Sequence, residues 1–320
     1  MKIAIADNCG LKFSQDILDH WVAKGHEVRY ERGASEVLAQ WADIYYVEWI
    51  DGNLNYLWKL YNGATDVSRT EDWDNNKKPK IVCRMFDWDI WCEYIPFYQK
   101  EYMDFIDVAI CIAPHMQQRI LEKAPGYKDK LHLIRPGVNL EKFTLKEKQT
   151  DGFQLGMVLG DFWPQAKNHM GGLDIFTSLY RRDNRWKLHL RGQHEVGQYW
   201  PYMYEHYLDS RGIRDAVTLY APVYDMNQWY ENINILLHPG MKETFCYAVG
   251  ESMAKNIPVV VNEFYGSRDI WPEYILYQTH EQAIAMIQKI DEKNKSNRTY
   301  IEQYYNVKQM LAEFDTLLNL

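Results

Sequence analysis

The 320 residues of this chain carry a formal net charge of −8, and 47% of them are hydrophobic. A chain of this length fits two domains with cores of their own, while the acidic balance argues against a strong nonspecific grip on nucleic acid and the lack of an eighteen-residue apolar run argues against a membrane span. The five cysteines form no C-x-x-C pair, which argues against a zinc site or a disulfide framework and predicts a reducing, cytoplasmic location.

The first half of the chain alternates short β-rich runs with helical stretches, a pattern typical of a doubly wound parallel sheet. A helix is predicted over residues 13–24, and Gly25 predicts its end because glycine readily adopts the left-handed conformation there. The polar stretch 66–78 predicts an exposed loop. The predicted strands of this half are 3–6, 25–30, 43–47, 80–85, 107–112 and 131–135.

A charged, turn-rich stretch at 146–152 precedes a second series of strands and helices. The pattern predicts a first domain over 1–145, a second over 146–298 and a C-terminal segment, 299–320, with an amphipathic helix over 301–320. The predicted strands of this half are 153–159, 186–191, 216–220, 233–237 and 259–262, and the predicted helices before the terminal one are 198–210, 226–232 and a stretch beginning at Glu281.

Two carboxylates, Glu243 and Glu251, stand eight residues apart after one of these buried strands. On a continuous helix they would be roughly 12 Å apart along the axis and about 80° apart around it, a span that suits a sugar diphosphate with a sugar at one end and a ribose at the other. Glu243 is predicted at the helix start, where the backbone N–H groups of Thr244, Phe245 and Cys246 would face the diphosphate. A helix with two surface acids is the plainer alternative.

This segment and its flanks resemble the E-x7-E motif of retaining glycosyltransferases with the GT-B fold. His238-Pro239 stands at the family's Pro-Ser pair, residues 256–260 stand for its Gly-x-Pro-Val-Val, and residues 134–143 are similar to its interdomain passage. The resemblance covers nearly the whole chain. It implies an α/β fold of two Rossmann-like domains facing a central cleft, with the acceptor in the first, the nucleotide sugar in the second and a terminal helix that crosses back onto the first.

The resemblance also assigns residues to the donor. It implies that Glu243 contacts the sugar hydroxyls, that Glu251 binds the ribose, and that the loop between Gly160 and Lys167 lies at the diphosphate. The family's loop arginine is missing here, so Arg191 at the end of the next strand is the candidate for a second cation. Lys167 as a solvated loop lysine is the alternative.

On the acceptor side, the family's histidine after the fourth strand is missing, and Asp87 is the nearest polar candidate to polarise an acceptor hydroxyl or to contact the donor sugar. The alternative for Asp87 is a helix cap. Trp88 and Trp91 are interpreted as an acceptor platform or as interface packing. Pro222 and Val223 align with the family's loop that brackets the nucleotide base.

The resemblance and these residues together predict a glycosyltransferase that moves a sugar from a nucleoside diphosphate sugar to a hydroxyl of a glycan or other small acceptor, with Glu243, Asp87 and Lys167 as catalytic residues. Retention of the anomeric configuration is implied by the resemblance alone. No recognisable metal-ligand spacing occurs in the sequence, so a metal-independent reaction without a cofactor is expected. Two alternatives stay open: transfer to hydroxymethylated bases of phage-type DNA, and a non-catalytic nucleotide-sugar-binding protein on the same fold.

Overall fold

A computed structural model describes residues 1–74, 76–86, 89–90, 97–147, 151–160, 164–192, 199–220, 225–290 and 297–320. The chain divides into two compact units, Met1–Gly137 together with Val307–Leu320, and Val138–Asn306. The chain thus passes between units at 137/138 and at 306/307. The predicted domain boundaries were 145/146 and 298/299. None of the helices in these described ranges is both long and apolar enough to cross a membrane.

The first unit is built on a six-stranded parallel sheet. Its strands are β1 Lys2–Ala6, β2 Glu27–Glu31, β3 Ile44–Glu48, β4 Lys80–Met85, β5 Val108–Cys111 and β6 Leu131–Leu133, in the spatial order β2-β1-β3-β4-β5-β6. Helices whose bounds fall within the described residues of this half are α1 Gln15–Ala23, α2 Glu36–Trp41, α3 Gly52–Asn62, α4 Lys100–Phe105 and α5 Pro114–Lys123. The six strands predicted in this half all form. As predicted, the turn after α1 uses a left-handed glycine, Gly25, at φ +85°.

The second unit repeats the architecture with another six-stranded parallel sheet. Its strands are β7 Gln154–Gly160, β8 Lys187–Gly192, β9 Val217–Tyr220, β10 Ile235–His238, β11 Val259–Asn262 and β12 Leu276–Tyr277, in the order β12-β11-β10-β7-β8-β9. Its helices are α6 Pro164–Lys167, α7 His169–Arg182, α8 Tyr199–Arg211, α9 Met226–Tyr230, α10 Tyr247–Ala254, α11 His280–Gln288 and α12 Asn297–Tyr304.

The order of strands in the second sheet creates a switch point between β7 and β10. The chain moves outward from β7 through β8 to β9, and then returns to the other side of β7 as β10, with Leu236 in register with Gly156. In open parallel sheets, ligands bind outside the carboxyl ends of the strands at such a point. The carboxyl ends of β7 and β10 are therefore the first place to look for a site in this unit.

The C-terminal segment differs from the single helix predicted over 301–320. Helix α12 ends at Tyr304, and a second helix, α13, covers Val307–Leu318. The interruption comes from the linker between units: Val138 N–H donates to Tyr305 O at 2.7 Å and pairs with Asn306 in a parallel bridge, which requires extended backbone. A Cβ on Gly137 would lie 2.4 Å from Val307 Cα, so glycine permits this crossing.

Helix α13 belongs to the first unit. Its residues Met310 and Phe314 join the apolar cluster that includes Trp21 and Tyr46, and the rings of Trp21 and Phe314 are 6.2 Å apart in an edge-on arrangement. On its polar side, Asp315 accepts hydrogen bonds at 2.8–3.0 Å from His20 and Lys24 of the α1 region. The end of the chain thus completes the core of the first unit.

Candidate functional site

The segments that follow β7 and β10 come together at the switch point. Because the strands are parallel, their carboxyl ends meet at one edge of the sheet. Met241 N–H donates to Ala166 O at 2.8 Å, which ties the segment after β10 to helix α6. Asn262 of β11 donates its side-chain N–H to Gly240 O at 3.1 Å, which holds the turn after β10 from the other side. A Cβ on Gly172 of α7 would lie 2.9 Å from Pro239, so that helix also packs closely beneath the turn.

This arrangement brings Lys167 and Glu243, two residues predicted for the site, into contact. Lys167 Nζ donates to Glu243 Oε1 in an ion pair, although the two residues are far apart in the chain. The side chains are 24% and 11% exposed, so the pair sits in a partly desolvated place that solvent still reaches. In such a pair the ammonium group can bind an anion, and the carboxylate can accept hydrogen bonds from hydroxyls.

Two side chains to which sequence reasoning gave no role, those of His238 and Cys246, adjoin the same carboxylate. His238 is 3% exposed, and its Nε2 lies 3.4 Å from Glu243 Oε1. Its other ring nitrogen, Nδ1, is 3.5 Å from Cys246 Sγ. Burial, and secondly Lys167, lowers the pKa of His238 to about 3, so the imidazole is neutral. Burial, and then Glu243, raises the pKa of Cys246 to about 12, so its sulfur is a protonated thiol.

The ligand atoms of His238, Glu243 and Cys246 all lie within 4.8 Å of one another, as a metal site requires. A neutral imidazole, a sulfur and a carboxylate are also a donor set that suits zinc. However, the ammonium group of Lys167 already contacts the same carboxylate oxygen, and a second cation there would be repelled. The three ligand atoms are therefore of the kinds that bind a metal ion, while the positive charge of Lys167 beside them disfavours metal binding.

The helix after this turn begins later than predicted. Glu243 was expected at its first position, but α10 begins at Tyr247. The residue before it, Cys246, has φ +64° and ψ 85°, a left-handed conformation that interrupts the path from Glu243 into the helix. The predicted spacing of roughly 12 Å along one helix therefore does not apply to Glu243 and Glu251.

Packing explains why the helix starts late. Phe245 is 3% exposed and its ring lies 4.9 Å from that of Trp271 and 4.8 Å from that of Tyr305. This insertion into an aromatic cluster directs the backbone inward before the helix begins. Thr244 is also buried, at 5% exposure. Phe245 and Thr244 precede the helix instead of forming its first turn, so the prediction that they offer helical N–H groups is wrong.

Glu251 lies on α10 and is held by a buried phenol. Its Oε2 accepts a hydrogen bond from Tyr230 Oη at 2.6 Å, and Ala248 O lies 3.3 Å from the same hydroxyl. Burial, followed by the charge of Glu251, raises the pKa of Tyr230 well above its ordinary value, so the phenol stays a donor. The carboxylate is thus fixed in direction by a neighbour that cannot ionise.

The remaining predicted residues lie elsewhere or outside the described ranges. Gly160 ends β7 in register with Gly192, and Arg191 of β8 pairs in register with Val158, on the side of β7 away from β10. The roles of Gly160 and Arg191 stay predictions. The predicted residues outside the described ranges are Asp87, Trp88, Trp91, Pro222 and Val223.

A family model described as glycosyl transferases group 1 matches residues 150–310, just over half of the chain. A search of curated protein sequences finds no significant match. Among solved structures, a glycosyltransferase from Rickettsia africae is 12% identical over 99% of this chain and 98% of that one, with a TM-score of 0.75. HepE from Anabaena, solved in complex with UDP-glucose, is 13% identical over 100% of both chains, with a TM-score of 0.71.

Sucrose-phosphate synthase from Thermosynechococcus elongatus is also similar, at 12% identity over 99% of this chain and 98% of that one, with a TM-score of 0.71. At these identities the structural similarities support only the fold. Together with the two parallel sheets, they confirm the predicted α/β fold of the GT-B type with two Rossmann-like units.

Proposed function

The chain belongs to the glycosyl transferases group 1 family and is therefore a glycosyltransferase, and we propose that it takes its sugar from a nucleoside diphosphate sugar bound at the Lys167–Glu243 pair. The ion pair at the β7/β10 switch point is the observation that carries this proposal. A diphosphate needs a cation, and lysine serves as a point charge for phosphate. The hydroxyls of the sugar need an acceptor, and the adjoining carboxylate supplies one.

The ion pair keeps both groups preformed before the donor arrives. Each charge is compensated by the other, so neither is left unpaired in a partly buried place. The incoming diphosphate competes with Glu243 for Lys167, and the carboxylate that is released turns to the sugar. Lys167 then stabilises the negative charge that develops on the departing nucleoside diphosphate. Arg191, on the neighbouring strand, is the proposed second cation.

Glu251 is proposed to bind the ribose. Its carboxylate is oriented by a hydrogen bond from Tyr230 at 2.6 Å. Because the side chain is already held in one direction, it can accept hydrogen bonds from the ribose hydroxyls without losing further side-chain entropy. That HepE, which has a similar fold, was solved with UDP-glucose supports a nucleotide sugar as the donor class. Retention of configuration, a metal-independent reaction and assistance of the acceptor hydroxyl by Asp87 belong to the same proposal, as does a cytoplasmic location.

The test is a panel of UDP-, GDP- and ADP-sugars, measured first by thermal shift and then by release of the nucleoside diphosphate. A donor at 100 times its dissociation constant should stabilise the protein by about 2.7 kcal/mol. The Lys167→Ala variant should lose turnover. Lys187→Ala is the matched control, because Lys187 is an exposed lysine at the opposite, amino-terminal end of the neighbouring strand β8.

If no nucleotide sugar stabilises the protein or is turned over, the proposed donor class is wrong. Binding without turnover in the presence of varied acceptors would favour the non-catalytic alternative. Glycans, glycerol-type alcohols and hydroxymethylated oligonucleotides should be compared as acceptors, because the described residues of the first unit do not select among them.

A further inference from the structure

A buried thiol and imidazole stand behind the proposed donor carboxylate, and the reaction outlined above does not use them. Cys246 Sγ lies 3.5 Å from His238 Nδ1. Glu243 Oε1 lies 3.4 Å from the other ring nitrogen, Nε2, where a ring lone pair would face the negative charge of the carboxylate. This favours the ring proton on Nε2, which leaves Nδ1 to accept a hydrogen bond from the protonated thiol. The contact with Cys246 therefore supports the Nε2–H tautomer of His238.

This Nε2–H group has no hydrogen-bond partner among the described residues. His238 is 3% exposed, and its Nε2 makes no hydrogen bond with any described residue. Glu243 Oε1 is near, at 3.4 Å, but the contact does not meet hydrogen-bond geometry, and the same oxygen accepts a hydrogen bond from Lys167 Nζ. A Cβ on Gly240 would lie 2.6 Å from Nε2 and 3.4 Å from Oε1, so the glycine leaves the space between these two groups open. A buried donor beside a charged acceptor is an unusual and unfavourable arrangement unless a change of state satisfies it.

The backbone at Cys246 adds a separate reason to look for a role. Its φ of +64° lies in the left-handed region, where glycine fits without steric conflict and a residue with a Cβ does not. A cysteine at this position is strained, and strain of this kind is retained where the side chain is needed.

We infer that His238 is a positioning residue for Glu243, and that Cys246 sets the ring tautomer that this role requires. The inference rests on the proposed function. When the diphosphate draws Lys167 away, the Nε2–H of His238 becomes the hydrogen-bond donor to Glu243 Oε1. The carboxylate then stays aimed at the sugar with its other oxygen available to a hydroxyl, instead of swinging after the departing lysine.

The first test compares two substitutions of His238. The side-chain amide of glutamine places an N–H near the position of Nε2, whereas that of asparagine reaches only the position of Nδ1. His238→Asn should lower kcat by about 10- to 100-fold, the value of one hydrogen bond to a charged group, with a smaller change in the donor KM. His238→Gln should restore most of the loss. Equal impairment of both variants, or normal activity of His238→Asn, would overturn the positioning role.

The second test uses three variants of Cys246. Serine keeps a donor, whereas alanine and glycine remove it. Glycine also relieves the left-handed strain, so Cys246→Gly should be at least as heat-stable as the native protein and its loss of activity cannot come from unfolding. Both Cys246→Ala and Cys246→Gly should lower kcat by about 2- to 10-fold, and Cys246→Ser should lie near the native value. In a His238→Asn background, Cys246→Ala should cause no further loss.

A third readout does not depend on turnover. Nitrogen-15 NMR of labelled histidine should show His238 as the Nε2–H tautomer in the native protein and in Cys246→Ser, and as a mixture in Cys246→Ala. Assignment of the signal comes from its absence in His238→Gln. A native Nδ1–H tautomer overturns the inference even if the enzyme turns over. Conversely, the native protein could show the expected tautomer and yet turn over no donor. That result would contradict the proposed function but not the thiol–imidazole contact.

Discussion

Each of the two units holds a cation and a carboxylate at the carboxyl ends of its central strands, and the two pairs differ in burial. In the first unit, Arg84 of β4 lies beside Glu48 of β3 with 3.2 Å between Nη1 and Oε1, and both side chains are 0% exposed. In the second unit, Lys167 and Glu243 are 24% and 11% exposed. Full burial makes the first pair a permanent part of the core, while partial exposure lets a ligand exchange with the second.

The chemistry of the partners agrees with this division. Arg84 makes further contacts with Phe13 O and with the ring of Phe86, and the phenol of Tyr46 donates to Glu48. A guanidinium can satisfy several neighbours at fixed angles, whereas an ammonium group is a compact charge that can change partners. The same fold therefore uses an ion pair once as internal structure and once as a candidate binding site.

The largest expected effect comes from breaking the buried pair. Arg84→Met should destabilise the protein by about 3–5 kcal/mol above pH 7, because the folded state must then bury the Glu48 carboxylate without its cation or take up a proton. Denaturant unfolding measures this change in the free energy of unfolding. The double variant Arg84→Met/Glu48→Leu should recover most of the loss, since two apolar side chains leave no charge unpaired. If Arg84→Met is as stable as the native protein, the first pair is not structural.

The partly exposed pair should respond in activity far more than in stability. Lys167→Ala should lower kcat by about 100- to 1,000-fold while the donor KM changes less, because the lost charge acts on the departing diphosphate. Its unfolding free energy should stay close to that of Lys187→Ala, the control on the opposite end of the sheet. Normal turnover by Lys167→Ala would place the diphosphate elsewhere.

A smaller effect is expected at the ribose end. Glu251→Ala should weaken donor binding by about 1.5–3 kcal/mol, the contribution of hydrogen bonds to a charged group, as measured by calorimetry. Tyr230→Phe is the control: it removes the phenol that orients Glu251, and we expect it to change affinity less than Glu251→Ala does. Unchanged affinity in Glu251→Ala would remove this residue from the site.

The pH dependence of stability should distinguish the pairs further. Burial raises the pKa of Glu48 from 4.5 to about 7, against the opposing effect of Arg84. Because the folded state then holds a proton that the unfolded state releases, this contribution to stability is complete below about pH 4.5 and is lost as the pH rises through 7. Denaturation midpoints across this range should fall less in Glu48→Gln than in the native protein; identical slopes would contradict the assignment.

The smallest expected effect is that of metal removal. The ammonium group of Lys167 is proposed to do at the diphosphate what a divalent ion does in other enzymes, so turnover should persist in EDTA. The rate is compared before and after chelation at one donor concentration. If activity is lost and manganese restores it, a metal ion and not Lys167 provides the main positive charge at the diphosphate.

The strands and their order along the chain were predictable, because alternating apolar runs and turn residues are local signals. The meeting of Lys167 with Glu243 was predictable only through the family resemblance. Local signals did not show the start of α10 at Tyr247, because the insertion of Phe245 between Trp271 and Tyr305 is a tertiary contact.

His238 and Cys246 were missed for a related reason. The resemblance only places His238-Pro239 at the family's Pro-Ser pair, which gives the imidazole no role. Nothing in the sequence indicates that Cys246 adopts a left-handed backbone or that its sulfur reaches the imidazole. Likewise, the break between α12 and α13 depends on pairing between Val138 and Asn306, which are distant in sequence. Both features come from contacts that only the folded chain brings together.

The placement of α13 in the first unit has a consequence for how the protein is made. Residues 1–137 are translated before the second unit, but the cluster around Trp21 and Tyr46 also needs Met310 and Phe314, which are translated after it. Closing such a long loop comes late in folding, and an apolar face left open until then favours aggregation. The first unit therefore starts synthesis before the second unit and completes its core after it, once α13 has been made.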